Sequence, residues 1–368
     1  MPFHLGGSAA ASVSGRMLAR PDSPDKGVTM PGPNETDFDP AAKERQLAAE
    51  STAWDTSVVV EADAQDVPTV DVGPYFASGH SDDLAAAAAD LRYALEKVGF
   101  YQLVGHGVTQ ADDILDATRR FHALPIEVKT SILIDRPEAT LGSVGYMPVG
   151  ARKLPSRGKG NPNEAFLLKG DRGVTFDDNE WLDDDVIPGF RATVEAYATT
   201  MTDLALRLLP LYAVALDLEP GFFNQAFQHP FSRLRLTHYP HDPVGDDLGN
   251  VGIPPHVDTT FMTLLLPDSP GLVIYSELRQ QWIRVPVVPG ALVVNAGELL
   301  RQWSNDRVLS TRHFANNTSD QSRYSVPFFF NATADFPMAC LPSCCGPNNP
   351  AKYPAISYLE SQGVVQGE

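Results

Sequence analysis

Pro255-His256-Val257-Asp258, His313 and Arg323-Tyr324-Ser325 are the residues whose types and spacing can do chemistry. On an extended strand the side chains at i and i+2 leave the same face, so His256 and Asp258 can point at one metal ion while Val257 points away. His313 follows His256 by 57 residues, and a neighbouring strand can bring its imidazole to the same ion. Ten residues later Arg323 offers a planar guanidinium suited to a two-point grip on a carboxylate. Ser325, two positions on, adds a hydroxyl donor on the same strand face.

Two imidazoles and one carboxylate are the facial ligand set of non-haem Fe(II) oxygenases, with positions left open for a cosubstrate and O2. Zinc takes the same donors in a tetrahedral site, so the three residues alone do not choose the metal. Arg323 and Ser325 tip the choice. A 2-oxo acid needs a metal at its keto-acid end and an anchor for its far carboxylate. Taken singly, each residue has an ordinary explanation: an His-x-Asp pair is more often a surface turn or a satisfied polar pair. A lone histidine is more often structural, and a lone strand arginine is usually solvated or ion-paired. The combination carries the reading.

The elements that must position these groups are short strands: Met262 to Leu266, Leu272 to Tyr275, Trp282 to Val288, Ala291 to Asn295, Thr311 to Ala315 and Arg323 to Phe330. Turn formers such as Pro267-Asp268-Ser269-Pro270-Gly271 and Pro289-Gly290 separate them. The pattern predicts a mainly β fold with flanking helices around a double-stranded β-helix (jelly roll) core. Upstream, Leu84, Ala88, Leu91, Leu95 and Val98 recur at helical spacing and predict a helix over 82–98. Phe100 to Val104 reads as a strand, Gln110 to Leu124 as a helix, and Ser232 to Tyr239 as a strand. Phe190, Val194, Tyr197, Met201, Leu204, Leu208, Leu211 and Ala215 predict a long core-facing helix, with Pro210 expected to kink it near Arg207.

In order and spacing these pieces resemble the isopenicillin N synthase-like 2-oxoglutarate and Fe(II)-dependent dioxygenases. The matching runs are His256-Val-Asp258, Gly271-Leu272-Val273, Trp282-Ile-Arg-Val285, Val294-Asn295-Ala296-Gly297-Glu298, Trp303-Ser304-Asn305, Ser310-Thr-Arg-His313 and Arg323-Tyr-Ser325-Val-Pro-Phe-Phe329. Val98 to Val108 is similar to the family's N-terminal module, where the histidine matching His106 is structural. The resemblance implies Fe(II) on His256, Asp258 and His313, with 2-oxoglutarate and O2 as cosubstrates. Arg323 and Ser325 would hold the far carboxylate, and Tyr239 aligns with a tyrosine whose hydroxyl can reach it too. It further implies oxidation of a small-molecule C–H bond by hydroxylation, desaturation or ring closure, with release of succinate and CO2. Phe261, Phe328 and Phe330, with Leu264, are candidates for the apolar wall around the substrate. This sequence departs from the family at Thr237, Thr259-Thr260 and Phe314, changes that bear on substrate class more than on mechanism.

Alternatives remain: an oxidase like isopenicillin N synthase, using no oxoacid, or a catalytically silent metabolite-binding protein. A zinc hydrolase leaves Arg323 and Ser325 unexplained and lacks an obvious general base.

The chain has 368 residues, and 28 basic against 46 acidic residues give a net charge of −18, which disfavours nucleic acid and anionic membranes as partners. No run of about eighteen apolar residues occurs. The three cysteines, Cys340, Cys344 and Cys345, lie outside any paired metal-binding spacing and fit a reducing, cytoplasmic compartment. Met1 to Arg20 faintly resembles a transit peptide, and a start at Met17 or Met30 explains it equally well. A monomer or weak homo-oligomer is expected. The expected plan is a flexible extension over 1–65, a helical module over 66–230 with a lid loop over 142–171, the catalytic core over 231–335, and a C-terminal segment over 336–368. Arg152, Lys153, Arg157 and Lys159 make the lid basic, so it either recognises an anionic substrate group or is a solvated loop.

Overall fold

The computed structural model describes residues 58–361 except 64, 135–142, 152–159, 172, 242–251 and 318. In chain order the strands are β1 Val59–Glu61, β2 Thr69–Asp71, β3 Phe100–Val104, β4 Gly145–Met147, β5 Glu164–Gly170, β6 Pro230–Tyr239 and β7 Ile253–His256. They continue with β8 Met262–Pro267, β9 Leu272–Ser276, β10 Gln281–Arg284, β11 Leu292–Ala296, β12 His313–Ala315 and β13 Arg323–Thr333. The helices are α1 Gly73–Ser78, α2 Ser81–Lys97, α3 Ala111–His122, α4 Ile126–Lys129, α5 Phe190–Ala215, α6 Glu298–Trp303 and α7 Tyr358–Ser361.

Alternation decides what each strand buries. β13 runs antiparallel to β6 on one side and β8 on the other, inside an eight-stranded sheet of order β2-β3-β11-β8-β13-β6-β5-β4. Phe328 and Phe330 point to one face and are buried with Leu234, Leu264 and Leu266, against the apolar stripe of α5. Burying each such side chain contributes roughly 1.5–3 kcal/mol, so this helix-backed layer is what holds the sheet. Arg323, Ser325, Pro327 and Phe329 face the other way, toward a five-stranded sheet of order β1-β10-β9-β12-β7. The two mixed sheets form the expected double-stranded β-helix.

In the smaller sheet β12 lies between β9 and β7, which sets His313 directly opposite His256. Two residues far apart in sequence thereby become cross-strand neighbours, with Cβ atoms about 5 Å apart by ladder geometry.

Several expectations are revised. Val59–Glu61, read as part of the extension, pairs with β10 in parallel, Val59 opposite Trp282; three residues are too few to show a periodicity. Residues 1–57 lie outside the described residues. The stretch 142–171 is not an irregular lid throughout, because β4 and β5 pair and extend the larger sheet through β6. Its Gly and Pro content hid two strands with buried faces. Its basic tip, with Arg152, Lys153, Arg157 and Lys159, lies outside the described residues. The strand expected over 282–288 stops at Arg284, just before a segment whose Pro286 lacks a backbone donor. α5 runs from Phe190 to Ala215 with Pro210, the position expected to kink it, inside the helix. Among the described residues no helix is long and apolar enough to cross a membrane.

Candidate active site

The site is assembled where the two sheets face each other. β7 ends at His256, and the chain leaves the strand through Val257 to Asp258, keeping both side chains on the cavity side. The Nε2 atoms of His256 and His313 each lie 3.7 Å from Asp258 Oδ1. The ligand atoms of all three residues are within 4.8 Å of one another.

Each donor is aimed by a neighbour. His256 Nδ1 bonds the Pro254 carbonyl at 2.8 Å and His313 Nδ1 the Thr311 carbonyl at 3.1 Å, which leaves both Nε2 atoms turned inward. Asp258 Oδ2 accepts from Thr263 Oγ1 at 2.7 Å and from Asn295 Nδ2 at 2.9 Å, leaving Oδ1 for the cavity. Thr260 bonds Thr263 in turn, and the Glu298 backbone N–H at the start of α6 bonds the Asp258 carbonyl. Two neutral imidazoles and a carboxylate, oriented from behind, fit a divalent iron with a facial set of ligands. The protonation states fit as well. Burial first, and then the neighbouring His313 ring, lowers the His256 pKa to about 4. Burial pushes Asp258 up, but the two histidines with Thr263 and Asn295 outweigh it and hold the carboxyl below its usual range.

Thr263 and Asn295 were not singled out by sequence reasoning, although Asn295 sits in a run that matches the family. Thr263→Val keeps the shape and deletes the hydroxyl. Ferrous affinity is expected to fall about 10–100-fold, the usual worth of such an outer partner, as read by metal titration.

At the other end of the cavity Arg323 is only 1 % exposed. Its guanidinium lies 4.7 Å from the Tyr239 ring centroid, and Nε donates to the Ser269 carbonyl at 3.3 Å. Nη1 is buried with no hydrogen-bond partner, and the buried Thr237 hydroxyl, on the residue paired with Ser325, is also unpartnered. Buried donors without partners are costly, so the orphaned guanidinium N–H at this end of the cavity marks a place shaped for an anion. Gly271 makes the arginine's position possible: a Cβ there would lie 2.5 Å from Arg323 Nε and 2.2 Å from the Asn316 carbonyl. Gly271→Ala is expected to displace the guanidinium and raise the KM for 2-oxoglutarate about tenfold or more, close to the loss of one charged hydrogen bond, with iron binding retained.

Residues 67–184 match the family described as "non-haem dioxygenase in morphine synthesis N-terminal", and residues 230–332 match the 2OG-Fe(II) oxygenase superfamily. The 2-oxoglutarate-Fe(II) type oxidoreductase hxnY of Emericella nidulans is 32% identical over 306 residues, covering 79% of this chain and 86% of that protein. The chain belongs to the 2OG-Fe(II) oxygenase superfamily. It is a 2-oxoglutarate and Fe(II)-dependent oxidoreductase that acts on a small molecule. A 2-oxoglutarate-dependent dioxygenase of Didymella fabae is also 32% identical, over 291 residues, covering 73% of this chain and 86% of that protein. A putative 2OG-Fe(II) oxygenase family protein from Caulobacter crescentus has the same fold with a TM-score of 0.69 at 27% identity, covering 81% of this chain and 97% of that one. A full-length Neurospora crassa protein solved in complex with alpha-KG shares the fold with a TM-score of 0.72 at 24% identity, over 82% and 96% of the two chains.

The apolar wall differs from the expectation. Phe328, Phe330 and Leu264 face the helix-backed core, and Phe261 packs among Tyr212, Phe223 and Phe227. None of the four lines the metal cavity, whose walls include Phe329, Pro327, Leu265 and Leu272. Counting by twos from Arg323 reaches Phe329 and not its neighbours, so the signal was present in the sequence. Phe328→Ala is expected to cost roughly 3–5 kcal/mol in chemical denaturation, as for any buried phenylalanine. Phe329→Ala, at a half-buried position, should cost less and instead raise the KM for substrate.

A second cluster, His122, Glu164 and His238, brings three potential ligands together on the opposite face of the sheet. Its charges already have partners. Lys129 Nζ lies 2.9 Å from Glu164 Oε2, Tyr146 donates to the same oxygen, and His238 uses both ring nitrogens, on Glu164 and Ser322. Lys129 and Tyr146 occupy one carboxylate oxygen and His238 the other, so the cluster reads as a polar network built around an ion pair. His106, away from both clusters, bonds the Gly290 carbonyl at 2.9 Å and accepts from the Val108 N–H.

Proposed function

We propose that His256 and His313 through Nε2, and Asp258 through Oδ1, hold the ferrous ion, and that Arg323, with Ser325 and Tyr239, receives the far carboxylate of 2-oxoglutarate. The observation that carries this reading is the unpartnered, buried Arg323 Nη1, on a residue that lines the same cavity as the metal triad. When bound, iron with 2-oxoglutarate and O2 supplies the C–H oxidising power, with succinate and CO2 as coproducts.

The chain's own residues do the rest. Arg323 and Ser325 fix one end of the cosubstrate, which sets the direction of its other end. Leu265, Leu272 and Pro327 line the cavity between the arginine and the triad and keep water from it. Thr263 and Asn295 hold Asp258 in the rotamer that offers Oδ1. These groups position and exclude, and none needs to move a proton. A cytoplasmic protein, acting without nucleic acid as a monomer or weak homo-oligomer, is in keeping with three free thiols and a net charge of −18.

Succinate formation tests the reading. It should require both Fe(II) and 2-oxoglutarate and rise on addition of a substrate. Oxidised substrate without succinate would instead support the oxoacid-independent oxidase.

A further inference from the structure

The inner face of β6 carries more than the cosubstrate end of the cavity. Alternation from Tyr239 and Thr237 puts Arg235 and Arg233 on the same face. The register sets Arg233 opposite Phe329 of β13 and opposite Lys169 of β5. Phe329 is in turn opposite Thr263, the residue that holds Asp258. Thr263, Phe329, Arg233 and Lys169 therefore form one row across four strands, at the level of the metal triad. At about 4.8 Å per strand, the Arg233 backbone is roughly 10 Å from that of Thr263. Arg323 lies six residues along β13 from Phe329, about 20 Å away, so Arg233 cannot serve the same carboxylate.

Two cations here face each other across the ladder, with Asp171 the acidic group that acts on Lys169. Arg233 and Lys169 are half-buried, and both lie over the Phe231 ring, Arg233 Cζ at 5.3 Å and Lys169 Nζ at 5.4 Å from its centroid. Among the described residues Arg233 forms no ion pair, and its buried Nε has no hydrogen-bond partner. Burial and the Arg233 charge lower the Lys169 pKa, with Asp171 acting against them. Like charges directly opposite across strands destabilise a sheet, so a protein of net charge −18 keeps this pair at a cost. Arg235, next along the face, is tied to the Asn163 side chain at 2.7 Å, which leaves Arg233 and Lys169 as the open pair.

We propose that Arg233 and Lys169 form a subsite for a carboxylate carried by the substrate, and that this anchor decides which C–H bond lies beside Phe329 and the metal. The pair, with Asp171 acting on Lys169, presents about one surplus positive charge, which matches a carboxylate better than a phosphate dianion. The inference rests on the triad being the reaction centre, and its test separates the two.

Binding is measured by calorimetry on the full-length protein loaded with Mn(II) and 2-oxoglutarate, so that no turnover is needed. The probes are a panel of small aromatic and aliphatic monocarboxylates, their neutral amides, and matched phosphate monoesters. Carboxylates should bind and amides should not. Arg233→Gln should weaken carboxylate binding at least about tenfold, as expected for loss of a charged hydrogen bond, while 2-oxoglutarate binding holds. Arg233→Lys should restore part of it, which a purely structural role of the arginine would not produce. Equal binding of amides, preference for phosphates, no carboxylate bound, or carboxylate affinity unchanged in Arg233→Gln and Lys169→Gln each overturns the subsite. A triad variant that still bound Mn(II) as tightly as the parent, with carboxylate binding retained, would leave the subsite standing and count against the reaction centre alone.

Discussion

Asp258→Asn is expected to lower 2-oxoglutarate turnover by at least about 10³-fold, because it removes the only anionic ligand and leaves two neutral imidazoles to hold a dication. Outer partners such as Thr263 are worth about 10–100-fold in metal affinity, and a direct ligand must be worth more. The substitution is nearly isosteric, so the fold should survive it. Asp258 is 8 % exposed, and taking a carboxylate out of water costs stability unless its partners compensate. Its two histidine neighbours with Thr263 and Asn295 do more than compensate, so the metal-free variant should melt somewhat below the metal-free parent while still folding. Two measurements decide the matter: iron content after reconstitution, and succinate formed per enzyme. Turnover within tenfold of the parent, with iron bound, would remove Asp258 from the proposed ligand set.

How much of this arrangement could be read in advance varies with the kind of signal. His256, Asp258 and His313 were legible because strand alternation and one cross-strand pairing suffice to bring them together, and β12 against β7 supplies that pairing. The double-stranded β-helix was legible for the same reason, since its strands are short, β-rich and bounded by turn residues. The helix over 190–215 was legible from eight apolar positions at helical spacing, all of which are buried. The choice of Phe328 and Phe330 as cavity residues failed because an aromatic near a site was weighed by type and not by parity with Arg323. β1 and β4 escaped because three-residue strands have no measurable period. Thr263 and Asn295 could not be assigned from spacing, since their role depends on which strands neighbour Asp258, and only the order β11-β8-β13 gives that. The Arg233–Lys169 juxtaposition is likewise a property of strand order, because β5 and β6 are separated by the whole of α5 in sequence.

Arg323→Gln is expected to raise the KM for 2-oxoglutarate about 10²-fold, with a smaller change in kcat and little change in iron affinity. Truncating one partner of a buried, hydrogen-bonded charge pair costs about 2–5 kcal/mol, and each 1.4 kcal/mol is a factor of ten. Stability should move in the opposite sense to affinity. In the free protein Nη1 is a buried donor with no acceptor, so removing the guanidinium relieves an unsatisfied charge, and the variant should melt at or above the parent in the absence of 2-oxoglutarate. Adding 2-oxoglutarate should then raise the melting temperature of the parent far more than that of the variant, since a ligand stabilises the state it binds in proportion to its occupancy. Arg323→Lys keeps the charge but loses the fork, and should recover only part of the affinity. A purely structural arginine would give the reverse pattern: a lower melting temperature, an unchanged KM, and no difference between Lys and Gln. The contrast between stability and affinity at this one position thus tests whether the guanidinium is placed for the cosubstrate or for the sheet.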